Sequence, residues 1–313
     1  MRIYCLRYMR GRGALVVILI LLFLTSPVVV RAGNTVQIAP DEVNFIMETR
    51  PSSNEYVKAD KAVILLWKRN TEDNGTELQT KVTPKESRSA TVTYYITEPI
   101  RNDNDREIKP RYIEAYLETS TGYNRGYRSL EHGLSFPKPE NGWVKISFRI
   151  APEAWGPAGT YTGWLRSYEP EINRDIKINV TINKYVNLSV GKTAIEIQAN
   201  HGPGSYLATE PIKAAILANH KNWTLTVTGD PLKYISDSTP GKELSLIETG
   251  NVFIKRTGDG NERSDWKDLN AGVTLRGSSD FEIRDCEFIV KVITELQHTA
   301  GIYSGGLHFT VGE

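Results

Sequence analysis

Cysteine is nearly missing from this chain: Cys5 and Cys286 are the only two among 313 residues. Cys5 falls in a segment that reads as a leader, so the mature chain would keep one thiol and could close no disulfide within itself. Export usually permits disulfides, so the fold has to be held by apolar cores alone. Histidine is equally sparse. His132, His201, His220, His298 and His308 include no pair at the spacings that hold zinc. There is no Gly-x-Ser-x-Gly and no Gly-x-x-x-x-Gly-Lys-[Ser/Thr]. The many acids include no singled-out pair of the kind glycoside hydrolysis needs. The sequence therefore offers no catalytic constellation and predicts a protein that is not an enzyme. Past residue 33 no apolar run approaches the ~18 residues of a transmembrane span.

What the N-terminus does have is a layered leader. Arg2, Arg7, Arg10 and Arg12 precede an apolar run from Ala14 to Leu24. Thr25, Ser26, Pro27 and Val30-Arg31-Ala32 follow. A charged region, an apolar region and a small-residue site are the parts of a secretory signal peptide, predicting residues 1–32 as leader and Gly33 as the first mature residue. Left uncleaved, the leader would be the chain's one means of membrane attachment. The expected location is secreted or in the cell envelope. Removing the leader's five arginines leaves 33 basic against 37 acidic residues, a net charge of −4. That balance excludes the basic surface that binds nucleic acid.

Period-2 alternation dominates the rest. It runs through 90–96, 144–150, 176–182, 223–227, 273–276 and 307–311, in stretches rich in β-branched and aromatic residues and bounded by Gly, Pro, Asn or Asp. One apolar face and one polar face per strand predict antiparallel sheets with a single buried face. The class is all-β, as sandwiches of the immunoglobulin-like or pilin-like kind. Short helical turns are expected at 211–219 and 264–270. Cys286 reads as a small strand residue and His308 as a solvent-facing one.

The chain also repeats at a long period. Ile38-Ala-Pro-Asp-Glu-Val43-Asn-Phe45 matches Val190-Gly-Lys-Thr-Ala-Ile195-Glu-Ile197, and Ala158-Gly-Thr-Tyr161-Thr-Gly-Trp-Leu165 parallels Ala300-Gly-Ile-Tyr303-Ser-Gly-Gly-Leu307. A period this long means tandem domains rather than a solenoid. The expected division is 33–184 and 185–313, with a short, stiff join near Lys184-Tyr185.

The two Ala-Gly-x-Tyr-x-Gly segments resemble the closing hairpin of secreted bacterial surface sandwiches, the pilin-like and spore-coat-protein-U-like domains. Asn222-Trp-Thr-Leu-Thr-Val227 is similar to a strand of bacterial cell-surface β-domains. The resemblance covers about 15–20 residues of each unit. Its physical content is a Gly that relieves a turn and a Tyr that plugs the core while its hydroxyl bonds backbone. The cysteine pair common in pilins is missing here. The resemblance implies a surface-structural role.

The residues leave two readings of function open. One is an exported structural or adhesive protein of a bacterial surface, such as a filament or coat subunit, whose partners are further copies or other surface components. In it, Gly33–Pro40 either pairs with a neighbour's open edge or closes its own sheet. The other is a pair of carbohydrate-binding modules that hold a polysaccharide on exposed rings of the first unit, with Tyr123, Arg125, Tyr127 and Trp164 as the ligand candidates and 123–128 as a loop. Trp155 is expected to fold over the end of the core. No cofactor is expected. A weak calcium candidate is Asp259, Asn261 and Asp265, although Arg263 sits at a position a cation would avoid. Asn102-Asp-Asn-Asp105 is a second acidic turn, enclosed by Arg101 and Arg106.

Overall fold

The computed structural model describes residues 35–68, 91–139, 141–169, 172, 174–191, 197–199, 202–235, 245–257, 265–298 and 302–313. The leader, Asp259 and Asn261 lie outside these residues.

The chain is all-β, as its alternation predicts. Its first strands are β1 (Thr35–Ala39), β2 (Glu42–Met47), β3 (Val57–Lys58), β4 (Val63–Lys68), β5 (Thr91–Ile96), β6 (Ile100–Arg101) and β7 (Glu107–Ile108). Then come β8 (Ile113–Thr119), β9 (Asn124–Ser129), β10 (Leu134–Pro137), β11 (Gly142–Ile150), β12 (Gly159–Ser167) and β13 (Ile176–Ile182). They build two facing sheets. One runs β1-β4-β11-β8-β9, with β3 beside β11, and the other runs β10-β5-β12-β13-β2, with β6 beside β12 and β7 beside β6. Inward residues of both sheets form one core, in which Trp67 meets the edge of Phe136 at 6.2 Å and Tyr94 stacks on Phe136 at 6.4 Å.

The N-terminal strand changes sheets. β1 pairs antiparallel with β4; two residues later, past a cis Ala39–Pro40 bond, β2 pairs with β13 in the opposite sheet. Thr35–Ala39 thus closes its own sheet. The β2–β13 pair is parallel, a departure from the all-antiparallel expectation that the sheet change produces.

The later strands are β14 (Val186–Val190), β15 (Gly204–Leu207), β16 (Ile212–Ala218), β17 (Thr224–Gly229), β18 (Leu232–Ile235) and β19 (Leu246–Ile247). β20 (Val252–Thr257), β21 (Lys267–Asp268), β22 (Val273–Arg276), β23 (Glu282–Thr294), β24 (Ile302–Ser304) and β25 (Leu307–Gly312) complete the chain. They form the sheets β14-β16-β23-β20-β21 with β15 beside β23, β22-β17-β25, and β19-β18-β24. A second core, separate from the first, gathers Ile216, Trp223, Leu225, Ile254, Cys286 and Phe288.

The helical turn expected at 211–219 is instead β16. Its residues alternate strictly between buried and open, and pairing with β14 and β23 on both sides overrides the alanines' helix preference. Likewise 265–270 carries β21 and a turn. Cys286 lies buried in β23, and His308 is exposed on β25.

Candidate functional site

The two copies of the Gly-x-Tyr repeat fold differently. In the first, Gly159 to Leu165 belong to one unbroken strand, β12. It pairs with β5 on one side and with β13 along seven consecutive residues on the other. Tyr161 and Leu165 are fully buried, and the Tyr161 hydroxyl donates to Pro157 O at 2.7 Å. In the second copy the strand breaks at Gly305-Gly306. Tyr303, on β24, pairs with β18 and bonds Ser245 through its hydroxyl at 2.8 Å. Leu307 begins β25, which pairs with β17 from Leu307↔Gly229 to Gly312↔Thr224.

Among the described residues β25 has a strand on one side only, so its outer backbone groups form an edge. Its core-facing residues Leu307, Phe309 and Val311 are half-buried, where the repeat counterpart Leu165 is fully buried. Val186, Leu188 and Val190 of β14, which also pack on the second core, are half-buried too. β25 and β14 thus both border the second core with apolar side chains short of full burial. A strand edge of this kind can accept an extended segment: backbone groups supply the hydrogen bonds, and every second side chain packs against the apolar row.

The four ligand candidates do not converge. Residues 124–129 are the strand β9 rather than a loop, because Asn124, Arg125 and Arg128 pair with Glu118, Leu117 and Ala115. A bulge opposite Tyr116 turns neighbouring side chains of β9 to opposite faces. Arg125 lies on the side of buried Leu117 and donates to Ser135 O at 3.2 Å. Tyr127 packs outward, 5.6 Å from Tyr116 and 4.0 Å from the Arg149 guanidinium. That guanidinium is also 3.8 Å from the Tyr56 ring and is ion-paired with Glu114 at 2.6 Å. The stack is saturated from within. Tyr123 sits at the β8–β9 turn, where its backbone closes on Thr119. Trp164 is on the other sheet, facing out from β12.

The Asn102–Asp105 turn is closed by its own groups. Asn102 Oδ1 accepts from the Asn104 and Arg106 N–H groups, and Arg101 pairs with Asp105 at 3.0 Å. Among the described residues no cluster of three His, Cys, Asp or Glu residues could hold a metal. A cleft lies where the β6–β7 hairpin meets Trp155 and Phe281. Of its acids, Asp105 and Glu107 are both committed to Arg101.

Trp155 closes the end of the first core and touches the second half of the chain. Its ring meets Tyr185 at 5.8 Å and Phe281 at 5.6 Å, both edge-on. Asn219, missed by sequence reading, is fully buried beside it. Its Oδ1 accepts from Tyr185 N at 2.7 Å, its Nδ2 donates to Asn183 O at 2.9 Å, and its backbone O accepts from Ala158 N at 2.8 Å. The one sequence signal for it is an Asn just past a strand, a residue suited to bonding nearby backbone.

No family model matches the chain, and no curated protein does. Solved structures do. A chain of the CsuC–CsuE chaperone–tip adhesion subunit pre-assembly complex of Acinetobacter baumannii archaic Csu pili is similar at 9% identity, over 86% of this chain and 97% of that one, with a TM-score of 0.37. A chain of the chaperone–tip adhesin complex of CFA/I fimbriae is similar at 11% identity, over 87% and 96%, with a TM-score of 0.33. CfaE, the adhesive subunit of the CFA/I fimbria of enterotoxigenic Escherichia coli, is similar at 10% identity, over 89% and 81%, with a TM-score of 0.32.

Proposed function

We propose that this is an exported, non-enzymatic structural or adhesive protein of a bacterial surface, built of two modules (33–184 and 185–313) behind a leader. It joins a filament or coat by accepting an extended strand of a neighbouring copy along β25. The first module is the finished frame and the second receives the neighbour. The observation that carries this reading is the contrast between the two repeat strands. β12 is flanked on both sides over a sealed core, while β25 exposes an edge over half-buried Leu307, Phe309 and Val311. Two separate cores support the division into modules, and the layered N-terminus supports export.

Electron microscopy of the purified mature chain over a concentration series, paired with amide exchange along 307–312, tests it. Ordered end-to-end assemblies with slowed exchange at β25 are expected. Monomers at every concentration overturn the reading.

A further inference from the structure

Three exposed rings lie on or beside the outer face of the β10-β5-β12-β13-β2 sheet. Trp164 is 38% exposed, Tyr95 40% and Tyr168 74%. Their placement follows from register. Tyr94 points into the core, so Tyr95 points out, directly opposite Arg166; Trp164 stands two residues along the same strand, opposite Lys177. Tyr95 lies against Gly133, where any Cβ would come within 2.8 Å of the ring, and meets Tyr168 at 5.8 Å with a 51° tilt. Among the described residues Trp164 meets no other ring and no cation.

The opposite sheet shows what internal use of such rings looks like. There Arg149 fills the space between Tyr56 and Tyr127. Here the cations turn to acids instead: Arg166 Nε donates to Asp175 at 3.0 Å, and Lys177 pairs with Glu42 at 3.8 Å. The strip beside Trp164 continues as a relay of amides and hydroxyls. Thr162 donates to Asn179 Oδ1 at 3.1 Å, and Asn179 Nδ2 donates to Glu42 and Asn44.

From this geometry we infer that the outer face of β5, β12 and β13 is a binding platform for a neutral polysaccharide, with Trp164, Tyr95 and Tyr168 as stacking rings and Arg166, Asp175 and Lys177 as hydrogen-bonding groups at their edges. A sugar ring presents an apolar C–H face and a hydroxyl rim, which this face matches with bare rings beside paired donors and acceptors. The charges cancel pair by pair, so the platform holds no excess of either sign for an ionic ligand. From Trp164 to Tyr168 the strand direction covers up to about 14 Å, room for about two or three sugar rings. Trp, Tyr and Arg are also the side chains that carry most binding energy at contact surfaces. The inference deepens the adhesive part of the proposed function and rests on the chain being exported to where glycans are.

The test is affinity electrophoresis of the mature chain in native gels containing hydroxyethylcellulose, xyloglucan or galactomannan, with polygalacturonate as the acidic comparison. Retardation by at least one neutral polymer is expected. Trp164→Ala and Tyr168→Ala should each weaken it about tenfold or more, Tyr127→Ala should leave it unchanged, and melting curves should establish that every variant is folded. No retardation by any neutral polymer overturns the inference, as does retardation by polygalacturonate alone or retardation that survives both platform variants. Sedimentation without polysaccharide covers the other occupant: a dimer lost in Trp164→Ala would assign the face to a second copy and overturn the inference. Trp164 lies outside the β25 edge, so the variant should still assemble. In the parent chain, assembly without any glycan binding refutes the platform alone, and glycan binding without assembly refutes the strand-accepting edge alone.

Discussion

Replacing Asn219 with alanine should loosen the join between the two cores, and the structure sets the size of the effect. The side chain is fully buried and satisfies two backbone groups, Tyr185 N–H and Asn183 C=O, at 2.7 and 2.9 Å. Alanine can satisfy neither. A buried donor or acceptor left without a partner costs about 1–3 kcal/mol, so the two together cost about 2–6 kcal/mol. For chains of this size each kcal/mol moves the melting midpoint by about 2–4 °C, so the variant should melt at least about 4 °C lower. The residue's backbone O holds Ala158 N–H of the loop before β12, and 183–185 is the crossing from β13 to β14. Disturbing this turn should therefore uncouple the cores as well as weaken them. Calorimetry should show one transition in the parent and two in the variant, and small-angle scattering should show a broader distribution of lengths. Asn219→Asp keeps an acceptor for Tyr185 but aims a carboxylate oxygen at Asn183 O, and should be at least as damaging. If Asn219→Ala melts within about 1 °C of the parent as a single transition, these bonds do not couple the halves and the reasoning fails.

Three further outcomes follow from burial. Burial pushes the Cys286 thiol above its ordinary value, so a thiol reagent at neutral pH should label the native chain no faster than it unfolds; fast stoichiometric labelling would contradict the buried strand position. Burial likewise pushes the Tyr161 phenol up to about 12 and raises Tyr94 as well, with Asp175 adding to the latter. Unfolded tyrosines ionise near 10, so the stability these groups contribute is fully present below pH ~10 and is lost as pH rises from there through about 12. Denaturant midpoints across that window, read beside tyrosinate absorbance, check the sign; a rise in stability there would refute it. Gly163 faces Ile100 so closely that an added methyl would overlap its side chain, and Gly163→Ala should cost about 1–3 kcal/mol in urea melts. An unchanged midpoint would mean that Ile100 has room to move.

Much of the fold was legible because a half-buried strand writes its two faces into alternate residues. Thr91–Ile96, Ile176–Ile182 and Leu307–Gly312 all lie where alternation put them. β16 was harder. Ile212-Lys-Ala-Ala-Ile-Leu-Ala carries small residues that suit a helix, and only its two neighbouring strands decide the matter. The bulge on β9 was invisible for a related reason. Nothing local distinguishes a tyrosine-rich turn from a strand that slips one residue against its partner, and that slip sends Arg125 and Tyr127 to opposite faces. Trp164 could be singled out as an exposed ring, but its neighbour Tyr95 could not. Tyr95 becomes its neighbour through register between strands some seventy residues apart. The parity of Tyr94 and Tyr95 within their own strand was the readable clue.

The two Gly-x-Tyr segments match in sequence, yet the structure places them differently. Tyr161 and Tyr303 occupy equivalent places in sequence, but two consecutive glycines after Tyr303 let the strand break, so Tyr303 serves a small separate sheet while β25 starts afresh. A chain without disulfides has every reason to seal its cores. Fully burying an aliphatic or Phe side chain is worth about 1.5–3 kcal/mol, so leaving Leu307, Phe309 and Val311 short of full burial forgoes at most about 3 kcal/mol across the three. Ordinary domains are stable by only about 5–15 kcal/mol. The first core forgoes nothing comparable along β12, where Tyr161 and Leu165 are fully buried. Half-covered apolar residues also lie on β14, β18 and β22, so the loss runs along the margin of the second core; at β25 it coincides with an open row of backbone groups, as a surface for a partner strand requires.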